Sequence, residues 1–258
     1  HGVDPAGYDS GTAREQADAP PPYQSETGEM LMDVAFRHPI RLIANALGVP
    51  PKSMLDRAKR HDVPCAALVG AREHAVRQVE AGVDIIVAQG TEAGGHCGEV
   101  STMVLIPEVV RAVGKSTPVL AAGGIMTGRQ MAAGMAMGAA GAWTGSVWLA
   151  TTEAETSPVF REKMVEARSR DTVRSRSRTG KPARQLRSAW TDAWEGPDSP
   201  GTLPMPLQSL LANPATRLIN KAAEAGNPEA RKLVNYYVGQ GVGLVDSVRT
   251  ARQVVAEF

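Results

Sequence analysis

From about residue 38 onward, short apolar runs bounded by Gly or Pro alternate with segments of helical period. The first run, Arg41–Ala46, is followed by "PKSMLDRAKRHD"; the second, "PCAALVG", precedes "AREHAVRQVEAG". In that helix Ala71, Ala75, Val76 and Val79 share a face, and Gly82 ends it. The third run, "VDIIVAQG", leads into a Gly-rich stretch and the helix "IPEVVRAVGKS". A fourth, "TPVLAAGGI", and a fifth, "AAGAWTGS", flank the helix "GRQMAAGMAMG". Near-continuous apolar strands separated by helices predict a parallel sheet covered on both faces. Strand-helix repetition with Gly-rich turns suits a β/α barrel or an open doubly wound sheet, and five strands are too few to close an eight-stranded barrel.

On either side the pattern changes. Residues 1–37 are polar and rich in Pro, Gly and acidic side chains, with no period that would build core, and predict a polar N-terminal arm. Residues 38–258 form the predicted β/α domain. Beyond residue 155 the strand-helix rhythm stops: "TSPVFREKMVEARSRDTVRS" reads as helix, "WEGPDSPGTLPMPLQ" as loop, and "PATRLINKAAEAGNPEARKLVNYYVGQ" and "DSVRTARQVVAEF" as helices over the sheet's rim.

The 258 residues are 43% apolar, enough for a sizeable core, and the 28 basic and 27 acidic side chains nearly cancel. With aromatics at 4%, neither charge nor stacking surface points to nucleic acid, and no apolar run approaches the roughly 20 residues of a membrane span. A small-molecule partner is expected. Cys65 and Cys97 are too few for a disulfide framework and suit a reducing cytoplasm. "RSRSRTGKPAR" is no phosphate-binding P-loop, since Ser175 stands where the first Gly belongs and Pro182 follows Lys181; it reads as a solvated or salt-bridged basic surface.

Candidate chemistry falls at the strand ends. "QGTEAGGHCG" (89–98) follows the third strand, where a parallel α/β fold places its ligands. Gly94 and Gly95 allow close backbone approach, and His96 is suited to proton transfer near neutral pH. A histidine held structurally in a glycine loop is the competing reading. His96 with Cys97 makes a poor metal site, because adjacent side chains diverge and no second His/Cys cluster exists. Gly123 and Gly124, then Thr144, Gly145 and Ser146 at the next strand end, offer backbone amides and hydroxyls in the way barrels hold phosphate. "GQGVGL" (239–244) reads as a loop near a cofactor.

"DIIVAQGTEAGGHCG", "PVLAAGGI" and "GAWTGSVWLATTEA", in this order and spacing, closely resemble the nitronate monooxygenases, FMN-dependent β/α-barrel flavoproteins related to FMN-dependent enoyl-acyl-carrier-protein reductases. The resemblance covers roughly residues 38–258 and implies a TIM (β/α)8-type barrel with extra C-terminal helices. It implies FMN as cofactor, nitronate or nitroalkane and O2 as substrates, and a carbonyl compound and nitrite as products. By position, His96 matches the family's active-site base, and Gln89 and Gly94 match residues lining the isoalloxazine. Gly123, Gly124, Thr144, Gly145 and Ser146 match the phosphate loops, and Gly239 and Gln240 match a "GQ" segment near the site. Nothing in residues 1–37 resembles the family's first strand with its "APM"-like end, so the chain is expected to represent strands four to eight, lacking the first three βα units. Two alternatives accompany this reading: an NAD(P)H-dependent reductase of enoyl thioesters or quinones on the same scaffold, and a non-catalytic barrel fragment needing a partner.

Overall fold

A computed structural model describes residues 25–258. Its eight strands are β1 (Ile43–Asn45), β2 (Cys65–Val69), β3 (Ile85–Gln89), β4 (Gly95–His96), β5 (Val119–Ala122), β6 (Gly141–Trp143), β7 (Thr172–Ser175) and β8 (Ala183–Leu186). The five predicted apolar runs are β1, β2, β3, β5 and β6, and they make one all-parallel sheet in the order β1-β2-β3-β5-β6. Each new strand adds beside the last, with no reversal of direction across the sheet. A doubly wound sheet has such a reversal and a barrel does not.

Alternation within each strand divides the sheet into two faces. Ala67 and Val69, Ile86 and Ala88, and Val119 and Ala121 pack with Leu105, Ile106 and Val109 of helix Thr102–Val113 and with Ala75 of helix Arg72–Glu80. The other face carries Ala66, Val87 and Ala122, with Leu68, Leu120 and Trp143 packed against them. Gln89 shares that second face with Ile85 and Val87, so the last residue of β3 turns inward at the strand's C-terminal end. Gly82, at φ +94°, ends helix Arg72–Glu80 as its spacing predicts.

The C-terminal segment builds its own core. Phe160 and Met164 of helix Pro158–Glu166, Ile219 of helix Leu207–Glu224 and Ala230 of helix Pro228–Leu233 pack with Val234, Val238 and Val242. Met126 and Val147, at the ends of β5 and β6, join the same cluster. The cluster therefore roofs the strand ends that carry the Gly-rich loops.

Four expectations need correction. Residues 25–35 of the supposed polar arm form a helix, and Met32 is buried with Met54, Ala58 and Cys65 while Asp33 pairs with Arg57. Its period was hidden because Met30, Leu31 and Val34 face outward; residues 1–24 of the arm lie outside the described residues. The helix expected over 156–175 stops at Glu166, and β-branched Thr172 and Val173 enter β7 instead. "RSRSRTGKPAR" is a solvated or salt-bridged surface only in part, with Arg176 and Lys181 exposed and Arg174 paired with Glu99; it is the end of a β7–β8 hairpin joined to β4 in a three-stranded antiparallel sheet. Arg178 and Arg184 are only 8% and 7% exposed, because carbonyl and hydroxyl oxygens replace water around the guanidinium groups. Finally, "NYYVGQ" is not helical: the chain leaves its helix at Leu233, and Tyr236 O accepts from Leu186 N while Tyr237 bridges to Gln185.

Candidate active site

Two cavities meet at the C-terminal ends of the parallel strands, with Gln89 in the wall of both. The first, a cleft of about 370 Å³, brings together Gln89, Gly94, Gly95, Gly123, Gly124, Thr144, Gly145 and Ser146. These sequence candidates come from three separate strand ends.

Backbone geometry explains most of the glycines. Gly123 (φ +104°) and Gly124 (φ +73°) take up positive-φ conformations in succession after β5, and both line the cleft. A Cβ on Gly123 would lie 2.7 Å from Thr102 Oγ1 and 3.0 Å from Gly90 N, so this turn is also packed tightly from behind. Gly94 lines the cleft and is also crowded from behind: its Cβ would lie 2.7 Å from the Val238 carbonyl carbon and 2.8 Å from Gly239 N. Gly239 reciprocates, since its own Cβ would stand 2.6 Å from Glu92 O. Gly239 and Gln240 thus brace the 92–94 loop from outside the cleft lining, with Gln240 N donating to Glu92 O at 2.8 Å.

Gly145 differs from all of these. Its φ is −125°, open to any residue, and a Cβ there would meet nothing within 4 Å. Protein packing gives no steric reason for a glycine at this position, and the open space leaves room for a ligand against the backbone. Beside it, Thr144 O and Oγ1 accept from Trp148 Nε1 at 3.1 and 3.0 Å, and Ser146 Oγ accepts from Gly239 N at 2.8 Å. The Ser146 hydroxyl keeps its proton to give to an oxygen in the cleft. Two backbone turns, two hydroxyls and an unfilled glycine position fit a phosphate.

Glu92 holds the frame. Its carboxylate accepts from Thr102 N at 2.9 Å and Thr102 Oγ1 at 2.8 Å, at the N-terminus of helix Thr102–Val113, where negative charge is favoured.

His96 lines the second cavity, of about 320 Å³, and is absent from the lining of the cleft. With it stand His74, Cys97, Arg174 and Lys181. Its Nε2 lies 2.9 Å from Thr179 Oγ1, and its ring centroid 6.3 Å from that of Tyr237. Burial, and then the charge of Lys181, lower the imidazole pKa from its ordinary 6.5, so the ring is neutral and free to accept a proton at pH 7. Cys97 remains a thiol, because burial raises its pKa against the opposing pull of Arg174 and Arg184. Among the described residues no three His, Cys, Asp or Glu side chains gather as a metal site.

Several lining residues escaped sequence reasoning. Tyr236, Tyr237, Trp143, Met126 and Leu149 complete the cleft, and Arg174, Thr179 and Lys181 reach His96 from the hairpin. The Tyr-Tyr pair just before the "GQ" segment was the one available signal. Arg178 lies beneath it, its guanidinium carbon 5.5 and 5.2 Å from the two ring centroids.

Sequentially added parallel strands, a glycine-lined cleft at their C-terminal ends and a neutral histidine beside it define an α/β protein equipped to bind a phosphate-bearing small molecule and move a proton next to it. The chain belongs to the nitronate monooxygenase family, whose model matches residues 6–258. A Mycobacterium tuberculosis protein named provisionally as a monooxygenase is 62% identical over 228 residues, covering 88% of this chain and 60% of its own length. A Staphylococcus aureus protein, named on the same provisional footing a nitronate monooxygenase, is 31% identical over 220 residues, 81% of this chain and 59% of its own. The chain thus spans about 60% of the length of these relatives. Among solved structures, nitroalkane oxidase from Streptomyces ansochromogenes superposes with a TM-score of 0.75 at 29% identity, over 88% of this chain and 65% of that one. FabK from Thermotoga maritima does so with a TM-score of 0.73 at 30% identity, over 93% and 72%.

Proposed function

We propose that the protein to which this chain belongs is an FMN-dependent oxidoreductase that oxidises alkyl nitronates with O2 to carbonyl compounds and nitrite. The observation that carries the reading is the pairing of cavities across Gln89: a phosphate-fitting glycine cleft on one side, and on the other a neutral histidine among Arg174 and Lys181. Gly123, Gly124, Thr144, Gly145 and Ser146 would hold the FMN phosphate, with Gln89, Gly94 and Gly95 beside the isoalloxazine and Gly239 and Gln240 bracing the loop behind. When bound, FMN would supply the redox chemistry between the substrate and O2.

The chain's own residues do the rest. Lys181 and Arg174 attract an anion such as a nitronate into the second cavity, Lys181 the more strongly because Arg174 is paired with Glu99 at 3.6 Å. For a neutral nitroalkane, His96 removes the α-proton and leaves the substrate as its nitronate. Tyr236 and Tyr237 supply aromatic wall to the cleft.

The five strands correspond in this reading to strands four to eight of a (β/α)8 barrel. β1 has no neighbour on its outer side among the described residues, which is where three further βα units would close the sheet. No helix among the described residues is long and apolar enough to cross a membrane. Two unpaired cysteines fit a reducing compartment such as the cytoplasm.

The likeness to FabK, about as strong as that to nitroalkane oxidase, favours a second reading in which NAD(P)H reduces the flavin and an enoyl thioester or quinone is reduced in turn. Anaerobic mixing of the purified flavoprotein separates the two. Ethylnitronate is expected to bleach the flavin absorbance, and admission of air to restore it with release of nitrite. Rapid bleaching by NAD(P)H with none by ethylnitronate would replace the first reading by the second.

A further inference from the structure

We infer that Thr179 is a positioning residue that fixes the tautomer of His96, holding the ring proton on Nε2 and presenting Nδ1 as the atom that takes the substrate's proton. The catalytic half of this inference rests on the proposed role of His96 as base; the tautomeric half does not.

The argument starts from one hydroxyl. Thr179 sits in the β7–β8 turn, 83 residues from His96 in sequence, and is brought to it by pairing of β4 with β8. A threonine hydroxyl has one proton to give and two lone pairs to fill. Thr179 Oγ1 donates to Lys181 O at 3.2 Å and accepts from Lys181 N at 3.4 Å, closing the turn. What remains on the oxygen is one lone pair, and His96 Nε2 stands 2.9 Å from it. Nε2 therefore carries the proton and donates. The hydrogen bond at one ring nitrogen decides which nitrogen is basic, so the free lone pair lies on Nδ1.

Nδ1 is placed to use it. It has no hydrogen-bond partner among the described residues and is not one of their buried, unpartnered atoms, so it is accessible on a ring that lines the second cavity. The titratable groups sharing that space are Lys181 and Arg174 from the hairpin, the latter paired with Glu99, His74 from helix Arg72–Glu80 and Cys97, with Tyr237 across the ring. The cations disfavour an imidazolium at rest, while Thr179 Oγ1 still accepts from Nε2 after Nδ1 is protonated. In the step itself the substrate's α-C–H bond breaks, its electron pair stays on the carbon and spreads into the nitro group, and the proton bonds to Nδ1. No electrons leave the substrate here, so no oxidant takes part.

Two readouts on the intact flavoprotein test the inference. Long-range 15N–1H spectra of histidine-labelled protein are expected to show His96 as the Nε2–H tautomer in the wild type and in Thr179→Ser, and as a mixture in Thr179→Val. A neutral Nδ1–H tautomer in the wild type overturns the inference whatever the enzyme's activity. In kinetics, Thr179→Val is expected to lower kcat/KM for nitroethane roughly 3- to 10-fold, the weight of one neutral hydrogen bond. Ethylnitronate, already deprotonated, should be oxidised within twofold of wild type, and Thr179→Ser should restore nitroethane turnover. Equal losses on both substrates would reduce Thr179 to a structural tie and overturn the positioning role. If the wild type oxidises neither substrate, the proposed function fails while the spectra still decide the tautomer.

Discussion

The two cavities that share Gln89 are made of different material. The cleft at 123–124 and 144–146 is chiefly backbone: glycine turns, amide groups and two hydroxyls next to the strands that carry them. The His96 cavity is chiefly side chains, with Arg174 and Lys181 delivered by a hairpin about 80 residues downstream, alongside His74 from the preceding helix. A backbone-built site is written locally, because glycines at a strand end announce it. A side-chain-built site needs the tertiary fold before its members can be told from an ordinary charged surface.

Substitutions should therefore act differently on the two sides. The largest effect is expected at the side-chain site: His96→Ala should lower turnover of neutral nitroalkanes by about 10²- to 10⁴-fold while flavin stays bound. Steady-state kinetics alongside the flavin absorbance per chain checks both halves, and unchanged turnover removes the base assignment. Next comes Gly123→Ala, which puts a Cβ at φ +104° and 2.7 Å from Thr102 Oγ1. Backbone strain alone should cost about 1–3 kcal/mol, read by denaturant unfolding, and flavin occupancy should fall with it. Glu92→Ala removes the acceptor for Thr102 N at the start of its helix and should cost about 1 kcal/mol, as loss of an N-terminal cap does.

Gly145→Ala sharpens the contrast most. Its Cβ meets no protein atom, so stability of the flavin-free protein should stay within about 0.5 kcal/mol of wild type. Flavin affinity should nevertheless weaken measurably in a fluorescence titration. A variant that binds FMN as tightly as wild type would mean the phosphate lies elsewhere.

The smallest effect concerns pH. Burial and Lys181 depress the His96 pKa, so the neutral base persists below pH 6.5 and kcat/KM for nitroethane should fall only as pH drops through that lowered value. Lys181→Met removes the cation that opposes imidazolium, and the midpoint should move up toward 6.5. Ethylnitronate, which needs no base, should show no such limb.

The same division explains how much was legible beforehand. All five parallel strands follow from apolar runs, most clearly β2, β3 and β5, whose burial on both faces leaves an unbroken signal, and Gln89 and the cleft glycines sit at strand ends. The hairpin was not legible. "TVRSRSRTGKPARQL" carries too many arginines to read as buried, and the burial of Arg178 and Arg184 depends on oxygens of Asn235 and Thr91, distant in sequence, with Thr172 Oγ1 from the facing strand. The crowding that also requires a glycine at position 94 was not legible, because it comes from Val238 and Gly239, more than 140 residues away. The helix 25–35 was missed because it sends Met30, Leu31 and Val34 outward, and amphipathic reasoning expects the reverse.

The most direct test of the whole account is a crystal structure of the protein with FMN. The phosphate is expected within about 2.7–3.2 Å of the Gly124 and Gly145 amides and Ser146 Oγ, with the ring system reaching Gln89 where the two cavities meet. A phosphate bound away from both glycine turns, or a ring system that does not reach the wall shared with His96, would contradict it.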